Sequence, residues 1–168
     1  MYLVHGLTRS YFTRKVTGYL DYTDRPWRLE PAFLDHDVAT AAGWNGGIPV
    51  VDDPDGVPLW DSTSIIEHLD TQTIADRSVL PDHTTLRFLA HLLDDVSDEW
   101  FYRPAVGSRW SFEDNTRTAG WQIAEELSVN APVPVGFVHP SVIETMTANL
   151  PKLGVTPQNI EAWMDEVY

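Results

Sequence analysis

Ser10 and Tyr11 place two hydroxyls where a loop, Leu7–Tyr11, meets a segment of helical spacing: Phe12, Val16, Tyr19 and Leu20. Either hydroxyl can donate a hydrogen bond to an anion. Ser10 also reads as an ordinary helix N-cap. Ile48-Pro49 heads an apolar run that ends at Val51, where a proline gives no N–H to a ladder. Asp61-Ser62 stands where strand gives way to helix, so backbone N–H groups and a hydroxyl point outward there. Simple N-capping accounts for that pair as well. Taken together, Gly46–Leu69 reads as strand, tight turn, strand and helix, a segment able to hold the backbone and carboxylate of a small peptide.

Composition narrows the chemistry. The 168 residues contain no cysteine, so disulfides, thiolate-ligated zinc and a cysteine nucleophile are excluded. Any thiol must come from a ligand. Net charge is −14, which argues against nucleic acid and against anionic membrane surfaces. No basic stretch followed by a long apolar run opens the chain, and no apolar run approaches the length of a membrane span. A cytoplasmic enzyme or binding protein is therefore expected. His91 lies near Asp94, Asp95 and Asp98, but no ligand motif fixes their geometry. That run reads as a solvated acidic face, and no metal site is expected. Seven Trp need burial at helix interfaces or in an apolar cleft.

The elements that must position these groups follow from periodicity. Met1–Gly6 reads as a buried strand, Trp27–Leu34 as a half-buried strand ended by Pro31, and His36–Ala42 as a short, weak helix. Asp52–Gly56, DDPDG, is a hairpin turn between Ile48–Val51 and Val57–Trp60. Ser62–Leu69 reads as a helix and Thr71–Asp82 as a linker. After it the pattern becomes helical: Thr84–Ala105, Ser111–Leu127, Ser141–Leu150 with Ser141 and Glu144 as a capping box, and Pro157–Tyr168 capped by Thr156. Val129–Pro140 reads as a proline-rich loop. The fold class is an α/β thioredoxin-like domain over 1–76, followed by an all-α domain over 83–168.

Three ordered motifs carry a resemblance. SYFTRKV at Ser10–Val16, GGIPVV at Gly46–Val51 and DSTSIIEHL at Asp61–Leu69 resemble the active-site, proline-strand and acidic-Ser motifs of the glutathione transferase superfamily. DEW and SRW, later in the chain, are similar to a bacterial branch. Two positions depart from the family pattern. Tyr11 stands where a proline usually follows the catalytic residue, and Gly46-Gly47 where a Lys is common. The helical part is also shorter than the family's.

The resemblance implies glutathione as co-substrate. It implies a thiolate stabilised by Ser10, with Tyr11 as the alternative. It implies a cis Ile48–Pro49 bond, with Ile48 docking the cysteinyl unit. Ser62 then holds the γ-glutamyl carboxylate and Asp61 its ammonium. A small-molecule electrophile is expected between the domains, with His91, Trp100, Tyr102 and Trp110 as candidate contacts, although such Trp more often pack helices. A homodimer is expected from the family. The other readings are a non-catalytic binding or assembly module and a glutathione-dependent thioether or ether lyase.

Overall fold

The structure is a computed structural model and describes residues 1–31, 46–129 and 133–167. It divides into two compact units, Met1–His91 and Leu92–Tyr168, so the division falls inside a helix.

The first unit is built on a four-stranded sheet: β1 (Tyr2–Gly6), β2 (Trp27–Pro31), β3 (Val50–Asp52) and β4 (Pro58–Trp60), in the order β2-β1-β3-β4. β1 runs parallel to β2 through the crossover helix α1 (Tyr11–Tyr22). β3 and β4 are antiparallel to their neighbours. The DDPDG segment is the hairpin turn between them. The Asp53 carboxylate accepts from the N–H groups of Asp55 (2.9 Å) and Val57 (2.8 Å), and Gly56 takes the positive φ, 80°, that closes the turn.

Helix α1 and α2 (Ser62–Asp70) cover one face of the sheet. Alternation in β1 sends Tyr2 and Val4 into a core with Val16, Tyr19, Leu20, Val51, Ile65 and Leu69. Helix and strand come close at Gly6. A Cβ there would lie 2.8 Å from Thr13 Cγ2, so only glycine lets the end of β1 pass the first turn of α1.

Thr71–Asp82, expected as a plain linker, holds a 3-10 turn at Ala75–Arg77 and is fastened to the end of α2. The buried Asp70 carboxylate accepts from Ser78 Oγ (2.6 Å), Val79 N (3.0 Å), Leu80 N (3.3 Å) and Tyr19 Oη (3.0 Å). Burial pushes its carboxyl up, but the bonds from Ser78, Val79, Tyr19 and Leu80 outweigh it and hold the group below the ordinary carboxylate value. The expected helix at His36–Ala42 lies outside the described residues.

The helical run expected over Thr84–Ala105 is longer and interrupted. It comprises α3 (Thr84–Val96), a π-helical turn at Ser97–Phe101, and α4 (Tyr102–Ser111). Helix α5 follows at Glu113–Ser128, and α6 at Val135–Asn149. The sequence pattern starts the latter at Ser141, reading Pro140 as a stop. The structure instead begins it six residues earlier, after Pro134, with Pro140 inside and Ser141 no cap. Pro140 removes one interior hydrogen bond, but its ring faces solvent. The flanking His139 and Ile143 pack on Gly120 of α5, and His139 stacks on Trp121 with centroids 4.4 Å apart. Packing along a whole helix face outweighs a local breaker.

Helix α7 (Pro157–Val167) begins as expected. Asn159 N donates to Thr156 Oγ1 (3.3 Å) while Thr156 N donates to Asn159 Oδ1 (2.8 Å), a reciprocal cap. The core of this second unit holds Val106, Trp110, Ile123, Ala124, Val142, Val155 and Ile160. No helix among the described residues is long and apolar enough to cross a membrane.

Candidate functional site

Ladder register gathers three of the sequence motifs. His5, next to the last residue of β1, pairs with Val50, the first residue of β3, and Val50 pairs with Trp60, the last of β4. The chain leaves β1 toward Ser10, enters β3 from Pro49, and leaves β4 toward Asp61-Ser62. All three therefore lie along one edge of the sheet. The N-termini of α1 and α2 open at that same edge, each bringing backbone N–H groups and a partial positive charge. A bond from Lys15 Nζ, in the second turn of α1, to Thr63 Oγ1 (3.0 Å) ties that helix to the first turn of α2.

Ser10 is the N-cap of α1. Its Oγ accepts from Thr13 N at 3.3 Å. The cap uses a lone pair of the hydroxyl and leaves its proton to donate elsewhere, so capping and anion stabilisation are compatible in one group. Tyr11 is the first helical residue, packed edge-on to Phe12 with centroids 5.4 Å apart.

The Ile48–Pro49 peptide bond is cis, and Pro49 is buried beneath the start of β3. Asp61 caps α2 through Oδ1, which accepts from Ser64 N at 2.9 Å, and its backbone sits at φ 69°. Positive φ at a non-glycine residue is strained and is held there by the strand-to-helix corner. Ser62 is buried behind it.

The other candidates, His91, Trp100, Tyr102 and Trp110, lie on the helices that follow α2. His91, on α3, faces Glu67 of α2, with Nδ1 to Oε1 at 3.4 Å. Trp100 lies in the π-turn of the second unit, 65% exposed, with the Arg103 guanidinium 5.3 Å above its ring. Tyr102 begins α4. Burial pushes its phenol above the ordinary value, and the charge of Arg109 opposes that shift. Trp110 is 3% exposed, inside the helical core, and its Nε1–H has no hydrogen-bond partner among the described residues. It packs among the helices of the second unit. The sequence reading missed Gly6, Thr13 and Lys15. Their signal was faint: a strand-ending glycine, a threonine on an otherwise apolar helix face, and a lysine whose partner is forty-eight residues away.

Residues 9–72 match the family model described as glutathione S-transferase, N-terminal domain. No curated protein matches the chain. Among solved structures, the chain is similar to a glutathione S-transferase from Rhodospirillum rubrum F11, at 18% identity and TM-score 0.53, covering 90% of this chain and 62% of that one. It is similar to one from Methylobacillus flagellatus with glutathione bound, at 19% identity and TM-score 0.50, covering 91% and 66%. A Burkholderia glutathione transferase homolog with bound glutathione aligns at 16% identity and TM-score 0.50, covering 98% and 97%. The chain thus spans just under two thirds of the length of the first two. Residues 9–72 are thus similar to the glutathione S-transferase N-terminal domain, and the chain shares the fold of these solved structures, a thioredoxin-like unit followed by a helical one.

Proposed function

We propose that the protein binds glutathione at the sheet edge and conjugates its thiolate to a small apolar electrophile. The observation that carries this reading is the register that lines up Ser10, Pro49 and Asp61-Ser62 along one edge with two helix N-termini. A thiol with a pKa of roughly 8.5 is mostly neutral at physiological pH. A hydroxyl donating to sulfur favours the anion by roughly 1.5–3 kcal/mol, or about one to two pKa units, enough to make thiolate the main form. Ser10 has that proton to give.

In this reading Ile48 extends the ladder onto the cysteinyl unit. The Ser62 hydroxyl and N–H receive the γ-glutamyl carboxylate at the positive end of α2, and the second oxygen of Asp61 meets its ammonium. Glutathione bound in the Methylobacillus and Burkholderia structures supports the assignment of the ligand. A cytoplasmic homodimer belongs to the same reading, supported by the exposed Leu86, Phe88, Leu89, Leu92 and Leu93 on α3.

The test is thermal unfolding with millimolar glutathione, together with conjugation of an activated aryl halide. A raised melting temperature and conjugate formation are expected. Neither effect appearing would sink the reading. Binding without conjugate across several electrophile classes would move it to a non-catalytic module, the alternative favoured by Gly46-Gly47 where the family often carries a lysine.

A further inference from the structure

Charge is unevenly placed in the first unit. Between Arg28 and Arg77 the sequence holds ten Asp and Glu and no Lys or Arg. That stretch supplies β3, β4, α2 and the cis Ile48–Pro49 bond, so it builds most of the candidate site. The cations before it are placed elsewhere. Arg25 donates to Tyr2 Oη and to the Leu69 carbonyl, at the end of the sheet where β1 begins. Arg28 is paired with Glu30 on β2. Lys15 reaches Thr63 in the first turn of α2. Arg14 is exposed on α1, and Arg9 lies in the loop before Ser10.

We infer that the site prefers γ-glutamyl-cysteinyl thiols whose C-terminal end carries no negative charge, such as a C-terminal amide, over glutathione itself; this rests on the placement of glutathione proposed above. An extended peptide that starts at Ser62, beyond β4, and passes Ile48 points its glycyl end away from α2, along the edge toward β1 and β2. Gly46 and Gly47 precede Ile48, and both are exposed. Gly46 sits at φ 94°, and a Cβ built on it would meet nothing within 4 Å, so this corner is open and offers no charged side chain. The ladder places an acid on that side. Glu30, next to the last residue of β2, pairs in register with His5, whose Nε2 bonds Asp52 Oδ2 at 2.8 Å. Residues 32–45 contribute Asp35 and Asp37 to the sequence and no Lys or Arg; His36 is their one titratable base. A glycyl carboxylate there meets like charge, while Arg28 is taken up by Glu30. A C-terminal amide keeps the peptide's hydrogen bonds and removes the repulsion.

The test titrates the full chain by calorimetry, under reducing conditions at neutral pH, with glutathione and with its C-terminal amide. The amide should bind about threefold to tenfold tighter at low salt, and the gap should close near 1 M salt, where the Debye length is about 3 Å. Gly47→Lys should tighten glutathione and reverse the preference. Should Gly47→Lys fail to fold, as judged by circular dichroism, Glu30→Gln decides, and it should narrow the gap. Glu161→Gln, on α7, changes the net charge by the same unit as Gly47→Lys and should leave the ratio of affinities unchanged. Glutathione bound as tightly as the amide or tighter, or Arg9→Gln weakening glutathione alone, would overturn the inference and leave the glutathione site standing. A ratio that shifts as much in Glu161→Gln as in Gly47→Lys would also overturn it, since net charge would then account for the preference. Binding of neither peptide would overturn it together with the proposed function.

Discussion

Tyr19 Oη donates to Asp70 Oδ1 at 3.0 Å and shares Thr73 Oγ1 at 2.8 Å, so one buried phenol locks α1 to the end of α2. Arg25 completes the cluster, donating to Tyr2 Oη (2.8 Å), to the Leu69 carbonyl (2.9 Å) and to Thr73 Oγ1 (3.1 Å). These bonds hold together the two helices whose N-termini open at the candidate site.

Asp70→Ala should lower the unfolding free energy by roughly 1.5–3 kcal/mol, the usual range for bonds to a charged acceptor. The Asp70 carboxyl is depressed in the folded chain. Its contribution is therefore present above the unfolded carboxylate value of roughly 3.9 and is lost as pH falls through the lower folded value. Urea titrations across that acid range should show a steeper stability loss in the wild type than in Asp70→Ala. Parallel curves would remove Asp70 as the acid-sensitive group.

Ser10→Asn separates the two jobs of Ser10. Asn caps a helix about as well as Ser, so the melting temperature should hold. It carries no hydroxyl, so conjugation near pH 6.5 should fall about tenfold, corresponding to one pKa unit of lost thiolate stabilisation. Ser10→Ala should lose both, with about 1 kcal/mol of stability. Full conjugation by Ser10→Asn together with loss in Tyr11→Phe would transfer the role to the phenol.

Gly6→Ala introduces a Cβ 2.8 Å from Thr13 Cγ2, against a Thr13 that is 1% exposed. Neither β1 nor α1 has room to move apart without opening the core. A loss of about 1–3 kcal/mol is expected from overpacking, with weaker glutathione binding because the α1 N-terminus shifts. Denaturant midpoints and glutathione titrations measure the two effects.

Pro140→Ala should stabilise the helical unit. The native proline leaves the Gly136 carbonyl without its intrahelical donor and costs up to about 3 kcal/mol against alanine in a helix interior. A rise in the unit's thermal midpoint is the expected outcome. A fall would mean that the proline's backbone constraint, and not packing alone, positions His139 on Trp121.

Legibility in the sequence followed the range of the interactions. The caps at Ser10, Asp61 and Thr156 and the DDPDG hairpin depend on side chains meeting backbone within four residues, and each was visible as a short pattern. Strand alternation in Tyr2–Gly6 and the motif order over Ser10–Leu69 indicated the α/β unit for the same reason. What escaped was non-local. Trp100 and Trp110 are the same residue type ten positions apart, yet one is exposed and the other is buried among the helices of the second unit, a difference set by contacts with distant segments. Pro140 marked a helix stop by local rules, while contacts with α5 carried the helix through it. Asp70 looked like the last polar residue of a helix, and only folding brought Tyr19, Ser78, Val79 and Leu80 around it. The chain's own residues determined the ends of helices and turns, whose partners are a few bonds away. The tertiary structure alone decided which of those ends share the sheet edge, since strand order is set by packing between distant segments.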